Sequence, residues 1–123
     1  MSEDYKGIFA DLKASNQLVQ KGCVLNASGT VLFTEGDWDL SSNGTQLLDT
    51  WLKHGPRIEI QGLGFSILRS EPEALVAKNV AGKGNVFGSI TKGGNYFIAF
   101  VGPGESELGL NLVDVARAAG KMK

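Results

Sequence analysis

The fold is decided by residues 57–101, which read RIEIQGLGFSILRSEPEALVAKNVAGKGNVFGSITKGGNYFIAFV. In this stretch, short runs rich in β-branched and aromatic residues alternate with breaks that contain glycine or proline. The breaks are Gly62-Leu63-Gly64, Glu71-Pro72, Gly82-Lys83-Gly84 and Lys92-Gly93-Gly94-Asn95. Because such breaks favour tight turns between neighbouring strands, this region is predicted to form an antiparallel meander of about five strands.

The chain before the meander is predicted to begin with a helix and a hairpin. Residues 2–15 have helical periodicity, with one apolar stripe made of Tyr5, Ile8, Phe9 and Leu12. Two β-prone runs, 23–25 and 30–34, flank the turn-prone segment Asn26–Gly29. Small and turn-forming residues between two such runs are typical of a β-hairpin.

Two further helices are predicted, one on each side of the meander. The first begins near Ser42 or Thr45 and ends before Gly55, where a Gly-Pro pair stops helical periodicity. The last one follows the break at the end of the meander, with Ser106 as its cap, and runs to about Ala119.

This element order predicts an α+β fold. A central antiparallel sheet of about six to seven strands would leave two apolar faces to cover. We expect the N- and C-terminal helices to pack together on one face and the middle helix to pack on the other. Residues 1–123 are expected to form a single domain.

Composition and charge disfavour several functional classes. With 12 Lys and Arg against 13 Asp and Glu, the chain lacks the basic surplus that nucleic-acid binding needs. The acidic start Met1–Asp4 is unlike a secretory signal, and the apolar runs are too short to span a bilayer. Cys23 is the single cysteine, which fits a reducing compartment. A cytoplasmic location is therefore expected.

Few residues are available for catalysis or cofactor binding. Cys23 has no basic neighbour in sequence and is interpreted as a buried apolar residue, and His54 as a favourable charge at a helix end. The run Gly82–Gly88 resembles a phosphate loop only superficially, because β-prone residues rather than a helix follow it. The expectation is a protein that is not an enzyme and holds no metal or cofactor.

Four segments make the chain resemble the profilin family. The segment Ile60–Arg69 resembles the family's glycine-rich turn and the strand that ends on an arginine. The segments Ile90–Phe100 and Gly109–Ala116 resemble its Thr/Lys hairpin and the opening of its C-terminal helix. Upstream, Ser28–Leu32 resembles its first hairpin, with Leu32 where the family usually has tryptophan.

The resemblance implies a seven-stranded antiparallel sheet and binding to monomeric actin. The implied actin-binding surface comes from the later strands and the start of the last helix. Carried over onto this sequence, its residues are Ser66, Ile67, Arg69, Lys78, Gly109 and Asn111. A cationic fork, an ammonium and a short amide among apolar groups suit a moderately polar protein interface.

The resemblance also implies two other ligands. Profilins bind proline-rich segments with aromatic residues of both terminal helices; here Tyr5 and Phe9 are either a remnant of that site or helix-packing residues. The last helix has no aromatic residue, which disfavours conventional polyproline binding. Profilins also bind phosphoinositides through basic patches, for which the lysines available are Lys121 and Lys123, or Lys78 and Lys83.

Alternatives remain open at the sequence level. The main one is a roadblock- or longin-like scaffold that dimerises in small-GTPase complexes, and a PAS-like sensor comes next. A monomer is expected for a profilin, whereas the scaffold would dimerise. The missing tryptophans favour a profilin from outside the familiar eukaryotic branches, such as an archaeal one. Trp38, in the polar segment Gly36–Gly44, is either an exposed contact or folded onto the core.

Overall fold

The computed structural model describes residues 5–36, 38, 40, 44–60, 62–79, 81–102 and 108–122. Within these residues the predicted helices are present as α1 (Tyr5–Ser15), α2 (Gly44–Leu52) and α3 (Leu108–Ala119). The predicted cap of the last helix, Ser106, and the first residues of the first predicted helix lie outside the described residues.

The strands form one antiparallel sheet. Across the described residues they are β1 (Val19–Leu25), β2 (Val31–Glu35), β3 (Arg57–Ile60), β4 (Leu63–Glu71), β5 (Ala74–Lys78), β6 (Asn85–Ile90) and β7 (Tyr96–Val101). Their order is β2-β1-β7-β6-β5-β4-β3, so the seven described strands confirm the predicted hairpin and five-stranded meander. The first strand begins at Val19, earlier than the sequence pattern predicted.

Helices cover both faces of the sheet, as predicted. On one face α2 packs on β3 and β4, and Leu47 and Trp51 join a core that includes Phe65. On the other face α1 packs on β1 and β2, and α3 packs on β6 and β7. That second core includes Phe9 and Val115. Burial of apolar side chains on both faces, at about 25 cal/mol per Å², is the main force that holds the layers together.

The segment with Trp38 contributes to the core on the α2 face. Trp38 is buried, and its ring centroid lies 6.2 Å from that of Phe100. The alternative in which this tryptophan forms an exposed loop contact is therefore wrong.

The run Gly82–Gly88 is a hairpin and not a phosphate loop. It joins the antiparallel strands β5 and β6, and Gly82 has a φ of 76°, which favours glycine. The side-chain Oδ1 of Asn79 accepts hydrogen bonds from the backbone N–H groups of Ala81 and Lys83, at 3.0 and 3.1 Å. The amides of Ala81 and Lys83 are thus satisfied within the protein and not left open for a phosphate.

The two residues considered for catalysis lie in a buried core and in an exposed turn. Cys23 is buried in the α2-side core, and His54 is exposed in the turn after α2, with a φ of 58°. Within the described ranges, no group of three or more His, Cys, Asp and Glu side chains could hold a metal ion. None of the helices among these residues is long and apolar enough to cross a membrane.

Candidate protein-interaction face

One half of the sheet presents polar side chains on the face that carries α1 and α3. The helices α1 and α3 pack on the strands from β2 to β6, and the sheet continues beyond them to β5, β4 and β3. There Ser66 lies opposite Arg57 on one side and Lys78 on the other. Directly paired residues of neighbouring strands project from the same face, so these three side chains form a row. We call this region the β3–β5 face.

A bulge in β4 brings Arg69 onto the same face. Ile67 pairs with Ala77, but the next paired residue is Arg69, opposite Val76, so one residue is inserted in between. Ala77 belongs to the α2-side core and Val76 to the opposite core. Arg69 therefore projects from the β3–β5 face, beside Ser66 and Lys78.

Two apolar residues lie at this bulge. Ile67 is partly buried against the α2-side core, and its contact with a partner stays a prediction. Leu68, the inserted residue, is 56% exposed and is absent from the residues predicted from sequence. An exposed leucine beside cationic side chains suits the mixed character of a protein interface.

Arg69 is paired but still accessible. Its Nε donates to Oε1 of Glu71 at 2.5 Å, and the side chain of Arg69 is 54% exposed. An exposed pair of this kind contributes about 1 kcal/mol or less to folding. The guanidinium can therefore be shared with, or taken over by, an acidic group of a partner at little cost.

A further cation, Arg57, was missed by the sequence-based prediction. Its guanidinium lies over Gly64, where a β-carbon would collide with it. Gly64 and Ser66 project from the same side of β4, so the side chain of Arg57 lies along the β3–β5 face. The alternation of Arg57 and Glu59 with buried Ile58 and Ile60 is the signal that could have placed it there.

The start of α3 borders this face, but one predicted contact is buried. Gly109 lies in the first turn of α3. Asn111 is only 1% exposed, and its Oδ1 accepts a hydrogen bond from Nδ2 of Asn16 at 2.8 Å. This burial disfavours a direct contact of the Asn111 side chain with a partner, and that contact stays a prediction.

The aromatic residues considered for polyproline binding belong to the core. Tyr5 and Phe9 are buried, and Phe9 lies edge-on to Phe33 and Phe97, with ring centroids 6.1 Å apart in both pairs. A bulge in β2, where Leu32 is inserted opposite the step from Val24 to Leu25 of β1, sets Phe33 rather than Leu32 beside α1. Tyr5 and Phe9 therefore pack α1 against the sheet, and their burial disfavours an open aromatic platform for a proline-rich segment.

The groove between α1 and α3 carries charges of both signs. It has a volume of about 340 Å³ and is lined by Asp11 and Asp114 as well as by Arg117 and Lys121. Asp114 and Arg117 lie 3.8 Å apart, which lowers the net positive potential available to an anionic headgroup. Lys123 lies outside the described residues, and phosphoinositide binding stays a prediction.

Comparisons with known proteins agree on one family, although no family model matches the sequence. Loki profilin-3 of Lokiarchaeum sp. is 34% identical over 83 residues, which cover 66% of this chain and 68% of that protein. Thor profilin of a Thorarchaeota archaeon is 34% identical over 71 residues, covering 58% of this chain and 56% of its own.

A solved structure extends the likeness to the whole fold. In a complex of LokiProfilin2 with rabbit actin, the matching chain has a TM-score of 0.83 and 25% identity to this one. The match covers 98% of this chain and 96% of that one. The molecule is thus an α+β protein with an antiparallel sheet between its terminal helices and a middle helix. It belongs to the profilin family, and the relatives it resembles are archaeal.

Proposed function

We propose that this profilin binds an actin monomer through the β3–β5 face and the adjoining start of α3. The observation that carries the proposal is the register of β4, which sets Ser66, Arg69 and Lys78 on one exposed face. A profilin of the same fold has been solved in complex with rabbit actin, which supports the same class of partner here.

The chemistry of the face suits an acidic protein surface. Arg57, Arg69 and Lys78 supply cations, and the exposed side chain of Leu68, next to Arg69 in β4, offers an apolar contact. The guanidinium of Arg69 can form a bidentate pair of hydrogen bonds with a carboxylate, whereas the ammonium of Lys78 acts as a point charge. Such an arrangement steers association and fixes orientation, and the buried apolar contact adds affinity.

The activity that follows is stoichiometric and not catalytic. A profilin on one end of an actin monomer blocks the contacts that this end makes in a filament nucleus. Spontaneous polymerisation of actin therefore slows. Filaments then grow mainly at the end to which the profilin–actin complex can still add. We place this action in the cytoplasm, by a single domain spanning residues 1–123 that works as a monomer.

Polymerisation kinetics of actin test the proposal. Rabbit muscle actin and an archaeal actin would each be polymerised with increasing amounts of the purified protein. We expect the lag before polymerisation to lengthen with dose for at least one actin, and light scattering to report a monomeric profilin. An unchanged lag for both actins at large excess would contradict the proposal.

A further inference from the structure

Asn16 closes α1 and is held by its own loop. Its backbone N–H donates to the carbonyl of Leu12 at 2.8 Å, and its carbonyl accepts from the N–H of Val19 at 3.1 Å. Its side-chain Oδ1 accepts from the N–H of Leu18 at 3.2 Å. Since Oδ1 is used locally, the donor Nδ2 is directed away from the loop.

This Nδ2 reaches two residues of α3. It donates to Oδ1 of Asn111 at 2.8 Å and to Oδ2 of Asp114 at 3.2 Å. Asn111 lies in the first turn of α3 and Asp114 at its middle, and the bond to the carboxylate is of the stronger, charge-assisted kind. One side chain thus ties the beginning of α3 to the end of α1.

The opposite flank of α3 borders the β3–β5 face. Asp114 and Ala118 face α1, because they line the groove between the two helices. At about 100° per residue, Leu112 and Ala116 project roughly opposite to Asp114. Gly109 lies three and seven positions before them and therefore shares their flank.

The distance of this flank from the exposed strands depends on how far α3 lies from α1. The helix α3 packs on β6 and β7, between α1 and the β3–β5 face. A hydrogen bond from α1 to Asn111 and Asp114 therefore also helps to set where the first turn of α3 lies relative to β5, the strand next to β6. Asn111 is buried, which suits a structural role in this link between the two helices.

We propose that Asn16 is a positioning residue for the actin interface. Through Asn111 and Asp114 it fixes the first turns of α3, so that α3 and the β3–β5 face present one continuous surface. The inference rests on the proposed function, because actin is the partner proposed to bind this surface.

A reciprocal exchange tests the inference. Asn16→Asp sets a carboxylate against Asp114, and we expect the affinity for actin to fall about tenfold. Asp114→Asn alone replaces the charge-assisted bond from Asn16 with a weaker neutral one, so we expect a small loss of actin affinity, well below the loss for Asn16→Asp. In the double variant the introduced amide at position 114 can donate to the introduced carboxylate at position 16, so most of the affinity should return.

Two further variants separate positioning from loss of structure. Asn16→Ala removes both bonds to α3 without adding a charge, and should also weaken actin binding. Ser15→Ala is the matched control, because it removes the local bond from Ser15 Oγ to the Leu12 carbonyl at the same helix end. Amide hydrogen exchange should become faster in the first turns of α3 for Asn16→Ala and stay unchanged there for Ser15→Ala.

The outcomes distinguish failure of the proposed actin binding from failure of the positioning role of Asn16. A wild-type protein that binds no actin overturns the proposed function. A wild type that binds actin, together with Asn16→Ala and Asn16→Asp variants that bind equally well, overturns only the positioning role. A double variant that stays as weak as Asn16→Asp also overturns it, because the loss would then not arise at the contact with Asp114.

Discussion

Arg69 lies on the same face of β4 as Ser66, although the two are three positions apart. In a regular strand an odd separation sets two side chains on opposite faces, but the register shifts by one residue between Ile67 and Arg69. The shift aligns Arg69 with Lys78 on the β3–β5 face and turns it away from the α2-side core. The candidate interface therefore depends on one bulge.

Reversing the charge of Arg69 should weaken actin binding without unfolding the domain. For Arg69→Glu we expect a loss of about tenfold or more in affinity, because a repulsive charge replaces an attractive one at the interface. Thermal unfolding should change little, since the side chain is largely exposed and its pair with Glu71 is weak.

The control for this variant is Lys53→Glu. Lys53 is an exposed cation that pairs with Asp49 at the end of α2, the helix on the opposite face. This variant makes the same change in net charge and should bind actin as the wild type does. Equal affinities for Arg69→Glu and Lys53→Glu would remove Arg69 from the site.

Leu68 should contribute to binding and not to folding. For Leu68→Ser we expect a several-fold loss of actin affinity and a change in unfolding free energy within about 0.5 kcal/mol, as is usual for an exposed residue. Leu52→Ser, at an exposed leucine of α2, serves as the control and should leave affinity unchanged. A Leu68→Ser variant that binds actin normally would contradict the role given to the bulge.

Trp51 should stabilise the layer of α2 against the sheet. Its Nε1 donates to the carbonyl of Glu71 at 2.6 Å, and its ring lies edge-on to Tyr96 at 5.2 Å. Trp51→Phe leaves that carbonyl without its indole donor and should lower the free energy of unfolding by about 1–3 kcal/mol. Urea unfolding measures the change, and a loss under about 0.5 kcal/mol would show that the bond adds little.

Proline-rich peptides should not bind to the aromatic residues of α1. Tyr5 and Phe9 are buried against Phe33 and Phe97, so their ring faces are not open to a polyproline helix. A titration followed by the NMR signals of these two rings should show no saturable shift. Saturable shifts confined to α1 and α3 would contradict this expectation.

Much of the fold could be predicted from sequence because its turns are marked by glycine, and its strands by short apolar runs. Gly82 and Gly94 have φ of 76° and 88°, which few other residues adopt, and both lie at the turns that the sequence predicted. The helical stripes with Phe9 and Trp51 likewise predicted which helix faces are buried.

The site could be predicted only in part, because bulges and tertiary hydrogen bonds leave no local signal. The inserted residue before Arg69 reverses, from Arg69 onward, which side chains of β4 project from each face of the sheet. No periodicity in residues 63–71 reveals this reversal. A similar shift sets Phe33 beside α1 in place of Leu32. The buried Asn111 is hydrogen-bonded to Asn16, 95 residues earlier in the chain.

The most direct test of the central claim is to map the actin contact by NMR on the isotope-labelled profilin. With unlabelled monomeric actin added, we expect signals of β4, β5 and the first turns of α3 to shift or broaden first, while those of α2 and the β1–β2 hairpin stay in place. Perturbations centred on α2, or none at saturating actin, would contradict the account.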